Sequence, residues 1–143
     1  VGYSTIYGDA VGGFAPIMDV PKVDVWALAN WRNGQAKSRG EVSPIPESSI
    51  TKEPSAELRP GQQDSDSLPN YEELDAILQA YVEQDQSAAQ IIAAGFDPET
   101  VHRILRLTDR AEYKRRQYPP GPKVSGKAFG KDRRMPLTNF WSE

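Results

Sequence analysis

Residues 70–82 read NYEELDAILQAYV and carry the clearest helical pattern in the chain. Asn70 followed three residues later by Glu73 is typical of a capping box at the start of a helix. The apolar residues recur at three- and four-residue steps, as they do along one face of an amphipathic helix. They are Tyr71, Leu74, Ile77, Leu78, Tyr81 and Val82. This pattern predicts a helix that packs one face against a core.

Two further helices are predicted after it. One begins at Ser87 and ends at Gly95, and the next begins at Asp97 and runs to about Gln117, just before a pair of prolines. The apolar face of the longer one holds Val101, Ile104, Leu105 and Thr108. We therefore expect a trio of helices over residues 70–117.

An earlier helix is predicted over residues 20–33, with Pro21 in its first turn and Gly34 as its stop. One stripe at helical spacing predicts a buried face, and it consists of Val23, Trp26, Ala27, Asn30 and Trp31.

Residues 34–70 are rich in Pro, Ser, Glu and Gln, which indicates a long irregular connection with room for one helical turn at 45–50. Such loops in compact domains are usually functional or mobile.

Both ends of the chain have the composition of loops. Residues 1–19 are rich in glycine, with β-forming residues among them, and predict a loop with at most a short strand. Residues 118–143, which we call the tail, are basic and contain Gly and Pro throughout, so they predict an extended loop. The segment as a whole is therefore expected to be mainly α.

Length and composition exclude several classes of protein. The 143 residues suit one domain with one core, and they contain no apolar run long enough to span a membrane. There is no cysteine and only one histidine, His102, which excludes disulfides, thiolate zinc sites and the usual multi-histidine metal sites. No metal ligand is assigned. The chain begins with Val1 and has no leader-like segment, so a missing upstream part is expected.

Charge is distributed unevenly along the chain. Residues 101–143 hold 11 of the 17 Lys and Arg and 4 of the 20 Asp and Glu, a net charge of +7, whereas residues 1–100 carry −10. One interpretation is a helix-turn-helix nucleic-acid binder, whose second helix would present Arg103, Arg106, Arg110 and Lys114. The acidic first hundred residues argue against it, since DNA-binding modules are usually basic overall. A non-catalytic helical interaction module is another interpretation.

Four places carry groups that could bind an anion or a nucleotide. Thr5 and Asp9 lie in a glycine-flanked loop, Lys22 lies at a helix start where a cation opposes the helix dipole, and Ser55 lies among prolines. The string EYKRRQ at 112–117 is dense in cations. Taken singly, each also fits a turn, a solvated lysine, a linker or the polar end of a helix.

Together and in order, these segments resemble the second half of the synthetase domain of the NAD+ synthetases, and the resemblance covers essentially the whole chain. The strings that carry the resemblance are GYSTIYGD at 2–9, GFAP at 13–16, DVPK at 19–22, PSAELRPGQ at 54–62, DSDSLP at 64–69, EYKRRQ at 112–117 and FGKDRR at 129–134. The arginine-containing tail is more similar to the glutamine-dependent members than to the ammonia-dependent ones. The resemblance implies an α/β parent fold, a Rossmann-like ATP-pyrophosphatase domain of which this chain is the C-terminal part.

The resemblance also implies a reaction. The family uses ATP and Mg²⁺ to adenylate deamido-NAD+, and ammonia then converts the acyl-adenylate to NAD+. In the glutamine-dependent members a separate glutaminase domain supplies the ammonia. We therefore expect a cytoplasmic ligase, a homo-oligomer with its site at a subunit interface, and neither membrane nor nucleic acid as a partner.

The resemblance implies roles only for those residues that match functional positions of the family. Tyr3, Thr5, Asp9, Tyr113 and Lys114 match positions at the deamido-NAD+ site. Lys22 and Ser55 match positions that meet ATP. Ile6 stands where ammonia-dependent members carry lysine, and no catalytic residue is assigned. The family's pyrophosphate-binding loop and its segment TGNKSE are absent, so the upstream half of the synthetase is expected as a partner and the 143 residues alone are expected to be inactive.

Overall fold

The computed structural model describes residues 1–5, 7–8, 10–55, 59–128 and 131–138. Within these ranges the fold is helical, and no strand forms there. The helices are α1 (Lys22–Ser38), α2 (Glu47–Thr51), α3 (Tyr71–Leu78), α4 (Ala88–Ala93), α5 (Pro98–Arg110) and α6 (Glu112–Arg115). The expectation of a mainly α segment is therefore confirmed.

The core is built by α3, α4 and α5. Asn70 caps α3 by accepting a hydrogen bond from the backbone N–H of Glu73 at 2.8 Å, and α3 continues into one π-helical turn, Gln79–Glu83. Most of its predicted apolar face is buried, with Tyr71 and Leu78 packed at the edge of the core. The core residues are Leu68, Leu74, Ile77, Ala80, Tyr81, Val82, Ala88, Ile91, Val101, Ile104 and Leu105. The helical trio thus forms around the residues that the periodicity selects.

The face of α5 is fully buried, as its pattern predicts. Val101, Ile104, Leu105 and Thr108 each have 0% of their surface exposed. The helix begins at a side-chain cap, since the Asp97 carboxylate accepts from the backbone N–H of Thr100 at 2.8 Å. This cap satisfies one of the amide groups that a helix start leaves without a partner. Local sequence therefore supplies both the start of α5 and its packing.

The prediction that α5 runs unbroken to Gln117 is wrong. The helix ends at Arg110, Ala111 adopts a non-helical backbone, and α6 forms a separate turn. At this break Gly2 passes so close that a Cβ on it would lie 2.7 Å from the Cβ of Ala111. The break also turns Glu112 inward, where Arg115 and Arg116 neutralise it. The interruption is therefore caused by tertiary contacts rather than by a local breaker.

The predicted bounds and buried stripe of α1 are also wrong. Pro21 lies just before the helix, and α1 runs through the exposed Gly34 to Ser38. Of the predicted stripe, Val23 and Trp26 are half-buried, while Ala27, Asn30 and Trp31 are exposed. The buried residues of α1 are Asn33 and Ala36. The apolar stripe faces a cleft that no described residue fills.

Polar contacts hold α1 in place. The side-chain amide of Asn33 donates to the Ile45 carbonyl at 2.9 Å and accepts from the Ile45 N–H at 3.1 Å. At the other end, the Asp75 carboxylate of α3 accepts from the N–H of Val23 at 3.0 Å. No side chain next to α1 in sequence caps its start. Asp75 therefore does from a distance what Asp97 does locally for α5.

The described part of the tail is irregular, as predicted, but side chains attach it to the helical body at several points. Asp19 accepts three hydrogen bonds of 2.8 Å from Val124 and Ser125. Close to its start the tail crosses the loop at Ala15, where a Cβ on Gly121 would lie 2.2 Å from the Ala15 carbonyl oxygen. Only glycine allows the two backbones to approach this closely. The tail is therefore part of the folded unit.

Candidate functional site

A cleft of about 1280 Å³ lies between α1, α3, α6, the first residues of the chain and the tail. Three of the predicted site residues, Tyr3, Lys22 and Lys114, line it. They come from positions as far apart as 3 and 114, so their convergence is a property of the fold. The open stripe of α1 supplies an apolar wall through Val23, Ala27, Leu28 and Trp31. A cleft with an apolar wall and a few converging polar groups is the usual form of a small-molecule site.

Lys114 is placed by α6 at one end of the cleft. Its ammonium donates to the backbone carbonyls of Gly2 at 2.6 Å and Ser4 at 2.7 Å. These bonds tie the first residues of the chain to α6 and hold Tyr3 between them. Lysine has three N–H donors, so the two carbonyls leave one for a further acceptor. The family resemblance predicts that this lysine binds a ligand, and the structure shows that it holds the cleft wall.

Lys22 lies at the start of α1 between two aromatic rings. Its ammonium is 5.4 Å from the centroid of the Trp26 ring and 5.9 Å from that of Tyr71, distances at which a cation is attracted to a ring face. The two rings are themselves in edge-to-face contact, with centroids 5.5 Å apart. This setting restricts where the lysine can lie. A cation fixed on the wall of an open cleft is suited to an anionic ligand.

Asp75 lines the main cleft but is not among the site residues predicted from the sequence. It lies on the cleft wall, and its bond to the Val23 N–H fixes the helix turn that carries Lys22. Burial raises the pKa of its carboxyl group, and the backbone N–H bonds oppose this only in part. In sequence Asp75 lies at the border of the apolar face of an amphipathic helix, where charged residues are common, so the local pattern does not indicate its role. Only the packing of α1 against α3 reveals it.

Ser55 lies in a second, smaller cleft of about 610 Å³. Its hydroxyl donates to the carbonyl of Gln62, and the Gln62 side chain in turn donates to the Tyr3 hydroxyl at 2.9 Å. The second cleft is lined by Lys52, Glu53, Ser55, Arg59, Pro60, Gly61, Gln62 and Gln63. Tyr3 and Gln62 therefore connect the predicted ATP residue Ser55 to the main cleft.

The remaining predicted site residues lie elsewhere. Thr5 and Tyr113 are both exposed, and neither lines the main cleft. Asp9 lies outside the described residues, as does Ile6. The structure thus brings together one residue assigned to ATP, Lys22, with two assigned to deamido-NAD+, Tyr3 and Lys114.

A buried charged cluster lies beneath the Lys114 end of the cleft. Glu112 pairs with Arg115 at 3.0 Å and with Arg116 at 2.9 Å, and Asp109 pairs with Arg133 of the tail at 2.7 Å. Burial alone would raise the pKa of the Glu112 carboxyl group, but its hydrogen bonds to the two arginines outweigh that effect and lower it. Burial lowers the pKa of Arg115, although Glu112 favours its charged form. The cluster holds three arginines and two carboxylates, which leaves one positive charge in excess.

Neither a metal centre nor a membrane span is found in the described part of the chain. No three His, Asp or Glu side chains there come close enough to hold a metal ion. None of the described helices combines the length and the apolar composition needed to cross a bilayer.

Comparison with known proteins identifies the family. The sequence model of the family described as NAD synthase matches residues 1–118, which is well over half of the chain. The chain belongs to the NAD synthase family. The NAD synthase match covers α1 to α6 and both walls of the main cleft that carry Lys22 and Lys114.

Individual members of the NAD synthase family are highly similar to the chain. The glutamine-dependent NAD(+) synthetase of Acinetobacter baylyi is 56% identical over 141 residues, which cover 99% of this chain and 25% of that protein. The Thermotoga maritima enzyme of the same name is 48% identical over 142 residues, with 99% and 24% covered. The chain therefore spans about a quarter of the length of the curated relatives it matches.

A solved structure is similar as well. It is the glutamine-dependent NAD+ synthetase of Acinetobacter baumannii in complex with ADP, with 48% identity and a TM-score of 0.52 over 99% of this chain and 23% of that one. The helix-turn-helix interpretation gains no support from these relatives. The unit α4–turn–α5 does form, with Arg103, Arg106 and Arg110 exposed, but it occurs here within a family of synthetases.

Proposed function

We propose that the chain forms part of the active site of a glutamine-dependent NAD+ synthetase, an enzyme that converts deamido-NAD+ to NAD+ at the expense of ATP. The main support for this proposal is that Lys22, Tyr3 and Lys114 line the same cleft, in a chain that belongs to the NAD synthase family. The relatives that are named glutamine-dependent support glutamine as the nitrogen source.

The chemistry has two steps. A carboxylate oxygen of deamido-NAD+ attacks the α-phosphorus of ATP, and pyrophosphate leaves. Ammonia then attacks the acyl carbon, loses a proton, and AMP leaves with the former carboxylate oxygen. Fixed cations favour the first step because they stabilise negative charge that spreads over the phosphoryl oxygens. Cations and aromatic side chains around an open cleft suit this role of binding and orientation.

Within this reaction we assign binding roles to the cleft residues. Lys22, fixed against Trp26 and Tyr71, faces the phosphates of ATP, and Ser55 contributes a hydroxyl to the same ligand from the second cleft. Lys114 and Tyr3 contact deamido-NAD+, together with Asp9, Thr5 and Tyr113. We propose that the 34–70 connection, which carries the second cleft, orders when the ligands bind. The link from Ser55 through Gln62 to Tyr3 provides a route by which that ordering reaches the main cleft.

The whole enzyme requires more than this chain. We propose that the parent fold is an α/β ATP-pyrophosphatase domain with a parallel sheet, and that a further glutaminase domain supplies ammonia. We also propose that the enzyme is a cytoplasmic homo-oligomer. Mg²⁺ is proposed as the counterion of ATP. No step is assigned to a metal ligand of this chain.

A chimeric enzyme tests the proposal. Residues 1–143 replace the matching segment of the Acinetobacter baylyi relative, and NAD+ formation is measured from deamido-NAD+, ATP and glutamine. Since 56% of the aligned residues are identical, we expect the chimera to fold and to make NAD+. A folded chimera that binds neither nucleotide would contradict the proposal. The isolated 143-residue chain serves as the negative control and is expected to make no NAD+.

The assignment of Lys114 is tested in the same chimera. Lys114→Met is expected to raise the KM for deamido-NAD+ by about tenfold or more while leaving the KM for ATP nearly unchanged. Lys123→Met, which removes a lysine of the tail that pairs with Asp132, is the matched control. Equal effects of the two substitutions would reduce Lys114 to a helix-end charge.

A further inference from the structure

The tail contacts the helical body on both sides of Lys114. Before Lys114, the guanidinium of Arg133 pairs with Asp109 in the last turn of α5 at 2.7 Å. After Lys114, the side chain of Arg116 donates to the Met135 carbonyl at 2.6 Å. Two points of the tail only two residues apart therefore hold the chain on either side of α6.

The ion pair between Arg133 and Asp109 is largely buried and holds this part of the tail in a fixed position. The side chains of Arg133 and Asp109 are 13% and 6% exposed, so solvent screens their attraction little. The Tyr81 hydroxyl also donates to the Asp109 carboxylate, at 3.0 and 3.1 Å from its two oxygens. The Arg133 guanidinium lies over the Tyr81 ring, 4.5 Å from its centroid. We call Tyr81, Asp109 and Arg133 the clasp.

The helix between these contacts cannot hold its own position. α6 is a single turn of four residues, and turns of that length have no independent stability. It follows directly after Ala111, whose N–H donates to the carbonyls of α5 and whose carbonyl accepts from Lys114 and Arg115. Because of these bonds, the last turn of α5 sets where α6 begins. The placement of Lys114 therefore depends on groups outside α6. Arg133 of the tail holds the last turn of α5 through its largely buried pair with Asp109.

We propose that Arg133 is a positioning residue for Lys114, so that the tail sets the geometry of the deamido-NAD+ end of the cleft. Arg133 acts through Asp109 and touches no ligand itself. When the clasp is intact, the ammonium of Lys114 stays on the Gly2 and Ser4 carbonyls with its third donor toward the cleft. When the clasp opens, α6 moves and the ammonium leaves that position. The inference rests on the proposed function, in which Lys114 binds the dinucleotide.

The first test is kinetic and uses the chimeric enzyme. Arg133→Gln is expected to raise the KM for deamido-NAD+ by about tenfold and to leave the KM for ATP nearly unchanged. Arg133→Lys keeps a cation for Asp109 and Tyr81, so it should restore most of the affinity. Arg134→Gln, at the exposed neighbouring position, is the matched control. Arg133→Gln leaves the buried Asp109 carboxylate without the Arg133 cation, which is destabilising. If the single variant does not fold, the same kinetics are measured on the double variant Asp109→Asn, Arg133→Gln.

A double-mutant cycle separates positioning from general stability. If Arg133 acts through Lys114, then Arg133→Gln changes the KM for deamido-NAD+ much less in a Lys114→Met background than in the parent. Equal effects in both backgrounds would overturn the proposal, and so would an equal rise in the KM values of both substrates. An unchanged KM for deamido-NAD+ in a folded Arg133→Gln enzyme would overturn it as well.

Hydrogen exchange tests the positioning without any activity. In the Arg133→Gln protein, the backbone amides of residues 112–116 should exchange faster, while those of α3 keep their protection. If the parent chimera makes no NAD+ but this local loosening occurs, the proposed function fails and the clasp stands. Unchanged exchange at 112–116 would overturn the clasp even in an active enzyme.

Discussion

Helices α1 and α5 both carry apolar residues at helical spacing, but the apolar face is much more sharply defined in α5, and the two helices lie in very different environments. Both place apolar residues at three- and four-residue steps, and both patterns predict a buried face. In α5 the four residues of that face are fully buried. In α1 the corresponding face is open along the cleft, and Trp31 has 60% of its surface exposed. The periodicity identifies an apolar face in each case, but it does not say what covers that face.

The two helices also begin in different ways. Asp97 caps α5 from the adjacent position, whereas α1 depends on Asp75 from α3. α5 is therefore largely specified by its own sequence, and α1 is held by groups from other parts of the chain. An exposed apolar stripe of this kind usually marks a surface that binds something. We therefore expect α5 to contribute mainly stability and α1 to contribute to ligand binding, and four experiments test this contrast.

The largest expected effect is on stability, at the buried face of α5. Ile104→Ala should lower the free energy of unfolding of the chain by about 2–5 kcal/mol, because it leaves a cavity in the core. Leu28→Ala, on the open face of α1, should cost less than about 1 kcal/mol, since that side chain is half exposed. Urea denaturation of both variants and the parent measures the difference. Equal losses would mean that the α1 face is covered in solution.

The next largest effect is expected at the buried side of α1. Asn33→Ala removes both hydrogen bonds to Ile45 and should cost about 1–3 kcal/mol, because the backbone groups of Ile45 lose their partners. Asn30→Ala, one turn earlier on the exposed side, is the control for helix propensity. The same denaturation experiment measures both variants. A loss no greater than that of the control would show that α1 does not depend on this polar attachment.

A smaller effect, on activity rather than stability, is expected from the cations of the two helices. In the chimera, Lys22→Met should raise the KM for ATP by about tenfold, equivalent to about 1.4 kcal/mol of binding free energy. Arg106→Met removes an exposed cation from α5 and should change neither KM. Steady-state kinetics with ATP varied gives both values. A larger effect of Arg106→Met would indicate that the basic face of α5, rather than Lys22, contributes to ligand binding.

The smallest effect concerns pH. Burial raises the pKa of Asp75 above its ordinary value of 3.8, so the folded state holds this proton to higher pH than the unfolded state does. The stability associated with Asp75 is therefore present at acid pH and is lost as the pH rises above 3.8 and through the raised folded pKa. In Asp75→Asn the amide oxygen keeps the Val23 bond without titrating. Urea denaturation at several pH values should show parent stability falling relative to the variant. A parallel pH profile for the two proteins would contradict the raised pKa.

The sequence predicts well what neighbouring residues determine. The caps at Asn70, Ser87 and Asp97 and the buried face of α5 all form as predicted. These features depend on residues at most a few helical turns apart, so the local sequence pattern is sufficient to predict them. The family resemblance is likewise confirmed by the match over residues 1–118.

What the sequence does not predict depends on distant contacts. The break at Ala111 follows from the approach of Gly2 and the burial of Glu112, which no local pattern encodes. The role of Asp75 follows from the packing of two helices, and the clasp joins Tyr81 and Asp109 to a residue of the tail. Within the site, the resemblance selected Tyr3, Lys22 and Lys114, which the cleft brings together. It offered no means of finding the residues that support them.

The bonds between Lys114 and the carbonyls of Gly2 and Ser4 have a consequence for the order of folding. They join residues 112 and 110 positions apart, whereas the helical trio is joined through contacts such as that of Tyr81 with Asp109, 28 positions apart. Closing the longer loops costs more chain entropy, so the short-range contacts form at an earlier stage. The helical core can thus assemble while the cleft is still absent. A chain whose first residues have not yet reached Lys114 would have the helical core but not this wall of the cleft.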